Sequence, residues 1–242
     1  MMAAESLLIA ALLLPIAGAA VIFLLAKFPN PRETATLVTA GLLFLTVLAL
    51  TGPVLDGARP AVNVAQIAPG LSLAFSIEPL GMLFALIASG LWIVTSVYSI
   101  GYMRANKEPR QGSYSVCFAV AIGSTIGAAF AGNLFTLFLF YELLTISTYP
   151  LVTHKRDDAA IRAGRVYLLM LMGTSLALFL PAIIATWMIA GTLDFTPGGI
   201  LAGKTDSATI TVLLVMFVFG IGKAAVMPLH FWLPAAMVAP TP

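Results

Sequence analysis

The chain has 242 residues, 60% hydrophobic and 9% charged, with a net charge of +2 and a mean hydropathy of +1.03. A soluble domain carries about 25% charged residues, so this chain cannot coat a soluble globule, and its small net charge gives no sign of a nucleic-acid partner. The single cysteine, Cys117, excludes an internal disulfide, a Cys-rich metal site and an iron–sulfur cluster, and no motif calls for a cofactor or metal.

A spanning helix needs about 20 apolar residues, so the length holds roughly seven to nine spans. Met1 to Ser6 lacks the basic region of a signal peptide. The uncharged run Ser6 to Ala26 is 21 residues, longer than a signal-peptide core, and reads as the first span. Charged residues punctuate the rest. There are 22 uncharged residues between Glu33 and Asp56, 25 between Glu78 and Arg104, and 28 between Arg165 and Asp194. The 44 residues between Arg110 and Lys155 contain only Glu142 as a charge, and Gly132-Asn133 is the predicted turn dividing them into two spans. The 36 residues after Asp206 contain only Lys223.

Between Arg59 and Glu78, Pro60, Asn63, Gln66, Pro69 and Gly70 precede an alternating Leu71 to Ser76. This predicts a hairpin near 60–77 rather than a span. The fold class is therefore an all-α polytopic membrane protein, one transmembrane domain over 1–242. Seven spans are predicted near 6–26, 34–52, 79–103, 113–131, 134–152, 166–190 and 208–233. Nine basic residues follow the odd-numbered spans: Lys27, Arg32, Arg104, Lys107, Arg110, Lys155, Arg156, Arg162 and Arg165. Arg59 and Lys204 lie on the opposite side. That bias predicts a multi-pass protein of the cell inner membrane, with the N-terminus and the hairpin extracytoplasmic and the C-terminus near Pro242 cytoplasmic.

Two residues break the pattern. Glu142 lies at the middle of the fifth span and Lys223 near the middle of the seventh. Each costs roughly 2.5–3.5 kcal/mol at a helix centre, and opposite charges at matching depth can offset that cost by pairing. A paired Glu and Lys also gain a means of loading and releasing a proton whenever the partner moves. The alternative is a static pair locking two helices together, although buried pairs rarely stabilise relative to apolar packing.

His230 follows Lys223 by seven residues and would share its face on a continuous helix, with an interfacial histidine as the plainer reading. Pro228 cannot donate a helical hydrogen bond, and with Gly220 and Gly222 it predicts a helix broken near Pro228. Glu142, Thr145 and Tyr149 fall on one stripe and, with Tyr141, are candidates for holding water beside the carboxylate; helix packing is the alternative for the Thr and Tyr residues. Gly222-Lys223 is similar to the end of a phosphate-binding loop but lacks the upstream glycine and the following Ser or Thr. Gly123 to Gly127 reads as a helix-packing GxxxG, and His154 as a solvated loop histidine. The methionines and aromatics say nothing of haem or quinone.

Two stretches carry a resemblance. Phe140 to Val152 (FYELLTISTYPLV) resembles the fifth-helix motif of the proton-translocating antiporter-like subunits. Gly222 to Pro242 (GKAAVMPLHFWLPAAMVAPTP) resembles their seventh-helix motif and the approach to the eighth. The family comprises large membrane subunits of respiratory complex I, of membrane-bound hydrogenases and of Mrp-type sodium/proton antiporters. The resemblance implies a half-channel in which Glu142 modulates the pKa of Lys223, with His230 on the proton path. It also implies helices 1–3 over 1–112 and a first, incomplete antiporter-like repeat over 113–242. Family members run to about fourteen helices in inverted repeats, so the resemblance covers their N-terminal half. The eighth-helix lysine and the twelfth-helix charge lie beyond this sequence, and a separate chain supplying the second half-channel is one expectation, a fragment the other.

The resemblance points to a transport subunit of a multisubunit monovalent cation (sodium)/proton antiporter, of the Mrp D or A type, working with other membrane subunits and moving protons. A proton-pumping subunit of a complex I-like NADH:quinone oxidoreductase or membrane-bound hydrogenase is the alternative, and would make the chain part of an enzyme without its own redox centre. A non-conducting scaffold is the third reading.

Overall fold

The computed structural model describes residues 4–239, so Pro240-Thr241-Pro242 of the second motif and the predicted C-terminal placement lie outside the described residues. Helices α1 (Ala4–Leu24), α2 (Pro29–Leu55), α3 (Pro79–Ala105), α4 (Gln111–Ala129) and α5 (Leu134–Val152) follow in order. Helix α6 (Asp158–Thr174) runs through a π-helical turn (Ser175–Phe179) into α7 (Leu180–Ala190). Helix α8 (Ser207–Gly220), a single 3₁₀ turn (Gly222–Ala224) and the short α9 (Trp232–Ala236) complete the described helices.

Six helical stretches among the described residues are long and apolar enough to cross a membrane, with Asp158–Ala190 counted as one. At 1.5 Å per residue the 27 residues of α2 and of α3 each reach about 40 Å, past the roughly 30 Å hydrocarbon core. The 14 residues of α8 reach only about 21 Å. The seventh predicted span is thus a short apolar helix that stops inside its apolar run. Its break begins at Gly220-Ile221, earlier than expected, and the continuous α-helix does not resume before Pro228. The sixth helix also starts eight residues before its expected beginning at 166, because Asp157 caps it, accepting from Ala160 N at 2.7 Å. Arg162 and Arg165 therefore lie on its first turns instead of in a loop.

The predicted hairpin is present as β1 (Ala61–Ala68) and β2 (Leu71–Ser76), antiparallel with Ala61 opposite Ser76 and Ala68 opposite Leu71. Gly70 turns it at φ +71°, and a Cβ there would run into the Gly191 carbonyl at the end of α7. The hairpin is tied to the α4–α5 junction by Ser76 N to Phe130 O (2.8 Å), Gly132 N to Ala74 O (2.9 Å) and Asn133 Nδ2 to Ser72 O (2.8 Å). Asn133 also fixes the predicted turn from its other side, since its Oδ1 caps α5 by accepting from Thr136 N at 2.8 Å.

The opposite end of the bundle gathers the three basic turns. Glu33 accepts from Arg104 Nε at 3.0 Å and from a terminal nitrogen of the same guanidinium at 2.6 Å. Arg32 donates to Gln111 Oε1 at 3.0 Å, and Arg110 donates to the carbonyl of His154. Buried apolar side chains of α1 to α4, among them Leu8, Ile22, Leu43, Val47, Trp92 and Ile126, form the main core. In the GxxxG of α4, Gly123 lies against Pro15 and Ile16 of α1, and Gly127 against the ring of Phe140 on α5. Small residues here admit two different neighbours, as close packing requires. A second cluster (Phe138, Tyr141, Phe179, Ile183, Leu193) and a third (Val152, Ala163, Tyr167, Leu171) flank the region around Lys223.

Candidate functional site

Two helix irregularities meet at Lys223. Gly220, the last residue of α8, lies so close to the π turn that a Cβ would enter the backbone of Phe179, and a Cβ on Gly222 would collide with the Thr174 hydroxyl. Glycine at both positions permits this approach. Beyond them Ile221 leaves helical geometry (φ −81°, ψ 69°) and Ala225 adopts a left-handed conformation (φ 50°). The Met227–Pro228 peptide is cis. The carbonyl of Gly222, which accepts from Ala225 N at 3.1 Å, also accepts from Trp232 Nε1 at 2.9 Å, and this folds the short α9 back onto the break. Broken backbone at membrane depth is tolerated where protein encloses it.

The break delivers Lys223 to α5. Its Nζ donates to the carbonyl of Tyr141 at 2.8 Å and to the hydroxyl of Thr145, and it sits 3.4 Å from the centroid of the Tyr141 ring. Its backbone N–H donates to the Tyr141 hydroxyl at 3.1 Å. Tyr141 and Thr145, four residues apart, form one face of the helix, and Thr145 is fully buried. The amine is thus held by a carbonyl, a hydroxyl and a π face, all neutral groups.

Glu142 occupies the same turn of α5, so the two groups lie at one depth as the sequence suggests. They do not form a direct ion pair. Both carboxylate oxygens of Glu142 are sealed from the surface and lack a hydrogen-bond partner among the described residues. The expected pairing is replaced by a lysine bonded to Tyr141 and Thr145, on the same helix as the glutamate. Chemically, this leaves an amine and a carboxyl group close together without a bond that ties the proton of one to the other.

The other predicted residues are distributed unevenly. Tyr141 and Thr145 reach Lys223, whereas Tyr149 packs against Gly164 of α6 and joins the third cluster. His230 does not share a helix face with Lys223, because no continuous helix connects them. It stacks on Phe231 with ring centroids 4.7 Å apart, and its Nδ1 is buried without a partner. Pro228 lies within the broken segment and is exposed, while the helix ends at Gly220. Sequence reasoning missed the π turn and Trp232, whose indole braces the break. It also misplaced His154, which is 4% exposed, stands edge-on to Tyr114 at 6.1 Å and leaves Nε2 without a partner. Among the described residues no group of three or more His, Cys, Asp or Glu side chains is placed to hold a metal.

A half-buried lysine at a helix break, set over the fifth helix, is what the structure places here. Residues 131–242 match the family model described as NADH:quinone oxidoreductase/Mrp antiporter, transmembrane. The second half of the chain thus carries the domain that this model describes. Over 99% of its length it is 30% identical to a protein of Rhizobium meliloti described as a probable K(+)/H(+) antiporter A/B subunit, of which it covers 24%. Over 72% of its length it is 30% identical to hydrogenase-4 component B of Escherichia coli, covering 26% of that protein. The Mrp complex from Dietzia sp. DQ12-45-1b contains a chain of the same fold, with a TM-score of 0.81 and 22% identity over 98% of this chain and 44% of that one. The chain thus spans about a quarter of the length of the curated relatives it matches. The chain is a polytopic, mostly helical membrane protein, and its stretches 140–152 and 222–239 meet at the Lys223 amine.

Proposed function

We propose that the chain is the proton-translocating part of a multisubunit monovalent cation/proton antiporter, contributing one half-channel centred on Lys223 and Glu142. The observation that carries this reading is the lysine itself: an amine inside the bundle, at a helix break, held only by neutral groups beside an unpartnered carboxyl group. A structural ion pair would join the two charges directly, whereas a proton carrier needs each group free to exist in both states. The antiporter relative, similar along nearly the whole chain, supports the substrate class. Glu142, Lys223 and His230 form the proton path in this reading, with Tyr141 and Thr145 positioning the lysine. The nine-to-two bias in basic residues supports an arginine-rich end facing the cytoplasm and an extracytoplasmic hairpin.

A half-channel that reaches only mid-membrane requires a second half, supplied by further sequence or by another membrane subunit. The likeness to a hydrogenase component supports one other reading, a pumping subunit powered by a redox complex, in which the same lysine acts and the redox centres lie in other chains. Neighbouring genes separate the two: cation-antiporter subunits favour the first, iron–sulfur and flavin subunits the second. The role of the site is tested by proton and sodium or potassium flux in vesicles holding the assembled complex with Lys223→Ala or Glu142→Ala. The reading expects both to lose transport, Lys223→Ala more completely, and wild-type flux in both would overturn it.

A further inference from the structure

We infer that the hydroxyl pair Thr148–Tyr167 is the next station on the proton route between Lys223 and the arginine-rich end of the bundle; this rests on the transport reading above. The two hydroxyls bridge α5 and α6 at 2.6 Å. Tyr167 is 5% exposed and is buried together with Val152, Ala163 and Leu171, against which Tyr149 and Trp232 also pack. A buried hydroxyl must find a partner, whereas an apolar side chain of the same shape would fill this space with no such demand. Thr148 already donates to the Leu144 carbonyl at 2.7 Å, so packing and local satisfaction do not require the tyrosine hydroxyl beside it.

The pair is linked to Lys223 from two directions. Along α5, Thr148 follows Thr145, whose hydroxyl holds the Lys223 amine. The Thr148 hydroxyl lies 3.1 Å from the Thr145 carbonyl, which leaves the two hydroxyls within reach of one bridging water. Across the break, the Tyr167 ring stands edge-on to Trp232 at 5.7 Å, and Trp232 bonds the carbonyl of Gly222, the residue before the lysine. The line of hydroxyl-bearing residues then continues on α5 through Tyr149 and Thr153, which lie against Gly164, towards the α5–α6 turn, where Arg110 of the α3–α4 turn bonds the His154 carbonyl.

In transfer, the ammonium of Lys223 gives a proton to the Thr145 oxygen, which releases its own proton through the bridging water to Thr148. Thr148 turns its hydroxyl from the Leu144 carbonyl and gives its proton to the Tyr167 oxygen, which releases its own to water on the arginine-rich side. Each oxygen ends with the one proton it began with, and Lys223 is left neutral. Loading runs in reverse.

The test is the rate of proton flux in vesicles holding the assembled complex, with Thr148→Val, Thr148→Ser, Tyr167→Phe and Lys223→Ala compared. Thr148→Val and Tyr167→Phe should each slow flux about tenfold, a part of the hundredfold or more that a positioned proton-transfer group typically supplies. Thr148→Ser, which restores the hydroxyl, should recover most of the rate. Wild-type flux in Thr148→Val and Tyr167→Phe beside an inactive Lys223→Ala would overturn the station alone, as would equal losses in Thr148→Val and Thr148→Ser. Wild-type flux in Lys223→Ala would overturn the transport reading and the relay with it. If Tyr167→Phe fails to assemble, the two Thr148 variants decide the matter.

Discussion

The amine of Lys223 lies 3.4 Å from the centroid of the Tyr141 ring and 2.8 Å from the carbonyl of the same residue. One side chain thus offers the lysine a π face while its backbone offers an acceptor, and its hydroxyl accepts from the Lys223 backbone at 3.1 Å. Tyr141 fixes both ends of the lysine, which makes it the main positioning residue of the site.

Tyr141→Phe and Tyr141→Leu should separate these contributions. The phenylalanine keeps the π face and the carbonyl and loses one hydrogen bond, worth about 0.5–1.5 kcal/mol. The leucine also loses the cation–π contact, worth about 0.5–2 kcal/mol depending on its desolvation. Flux in vesicles should fall modestly for the first and severely for the second. Equal rates in the two variants would remove the ring from the account.

Gly222→Ala tests the contact between the two helix irregularities. The new methyl would collide with the Thr174 hydroxyl, and overpacking of this kind costs roughly 1–3 kcal/mol. A lowered melting temperature of the detergent-solubilised protein is expected. Thr174→Ala, which removes the obstructing oxygen, should recover part of the loss when combined with Gly222→Ala, and no recovery would place the strain elsewhere.

His154 predicts a dependence on pH. Burial in the turn between α5 and α6 holds its imidazole below the ordinary 6.5, partly opposed by the Pro109 carbonyl and Glu108. A depressed folded-state pKa means that the unfolded chain takes up a proton first as pH falls. The stability tied to the neutral imidazole is therefore full above about pH 6.5 and is lost as pH drops through the folded value. Thermal melts between about pH 7.5 and pH 5 should show this decline, and His154→Gln should flatten it. An unchanged slope in the variant would assign the decline to other groups.

Most of the fold was legible because charge is so scarce that each charged residue marks a boundary. The fifth span coincides with α5, and the Pro69-Gly70 hairpin forms where alternation replaced a uniform apolar run. The π turn at Ser175–Phe179 carries no such mark, since its residues suit an ordinary apolar helix and only packing against Gly220 and Gly222 distinguishes its surroundings. Lys223 and Glu142 stood out by their cost in a membrane. Their exact partners did not, because seven-residue spacing places His230 beside Lys223 only on an unbroken helix. The break at Gly220 sends the lysine to Tyr141 and Thr145 instead. His154 was misread for a related reason: a histidine beside Lys155 and Arg156 reads as solvated until the α3–α4 turn is seen to close over it.

Carriage of the transported proton by the Lys223 amine is the central claim, and Lys223→Met tests it most directly, since methionine keeps much of the side chain's bulk and cannot take up a proton. Proton flux should be measured with a pH-sensitive dye in vesicles whose complex is shown to be fully assembled. Lys223→Arg, which keeps a positive charge but does not release its proton, serves as the companion variant. The account predicts that no gradient forms with either variant. A gradient formed at the wild-type rate by assembled Lys223→Met would contradict it.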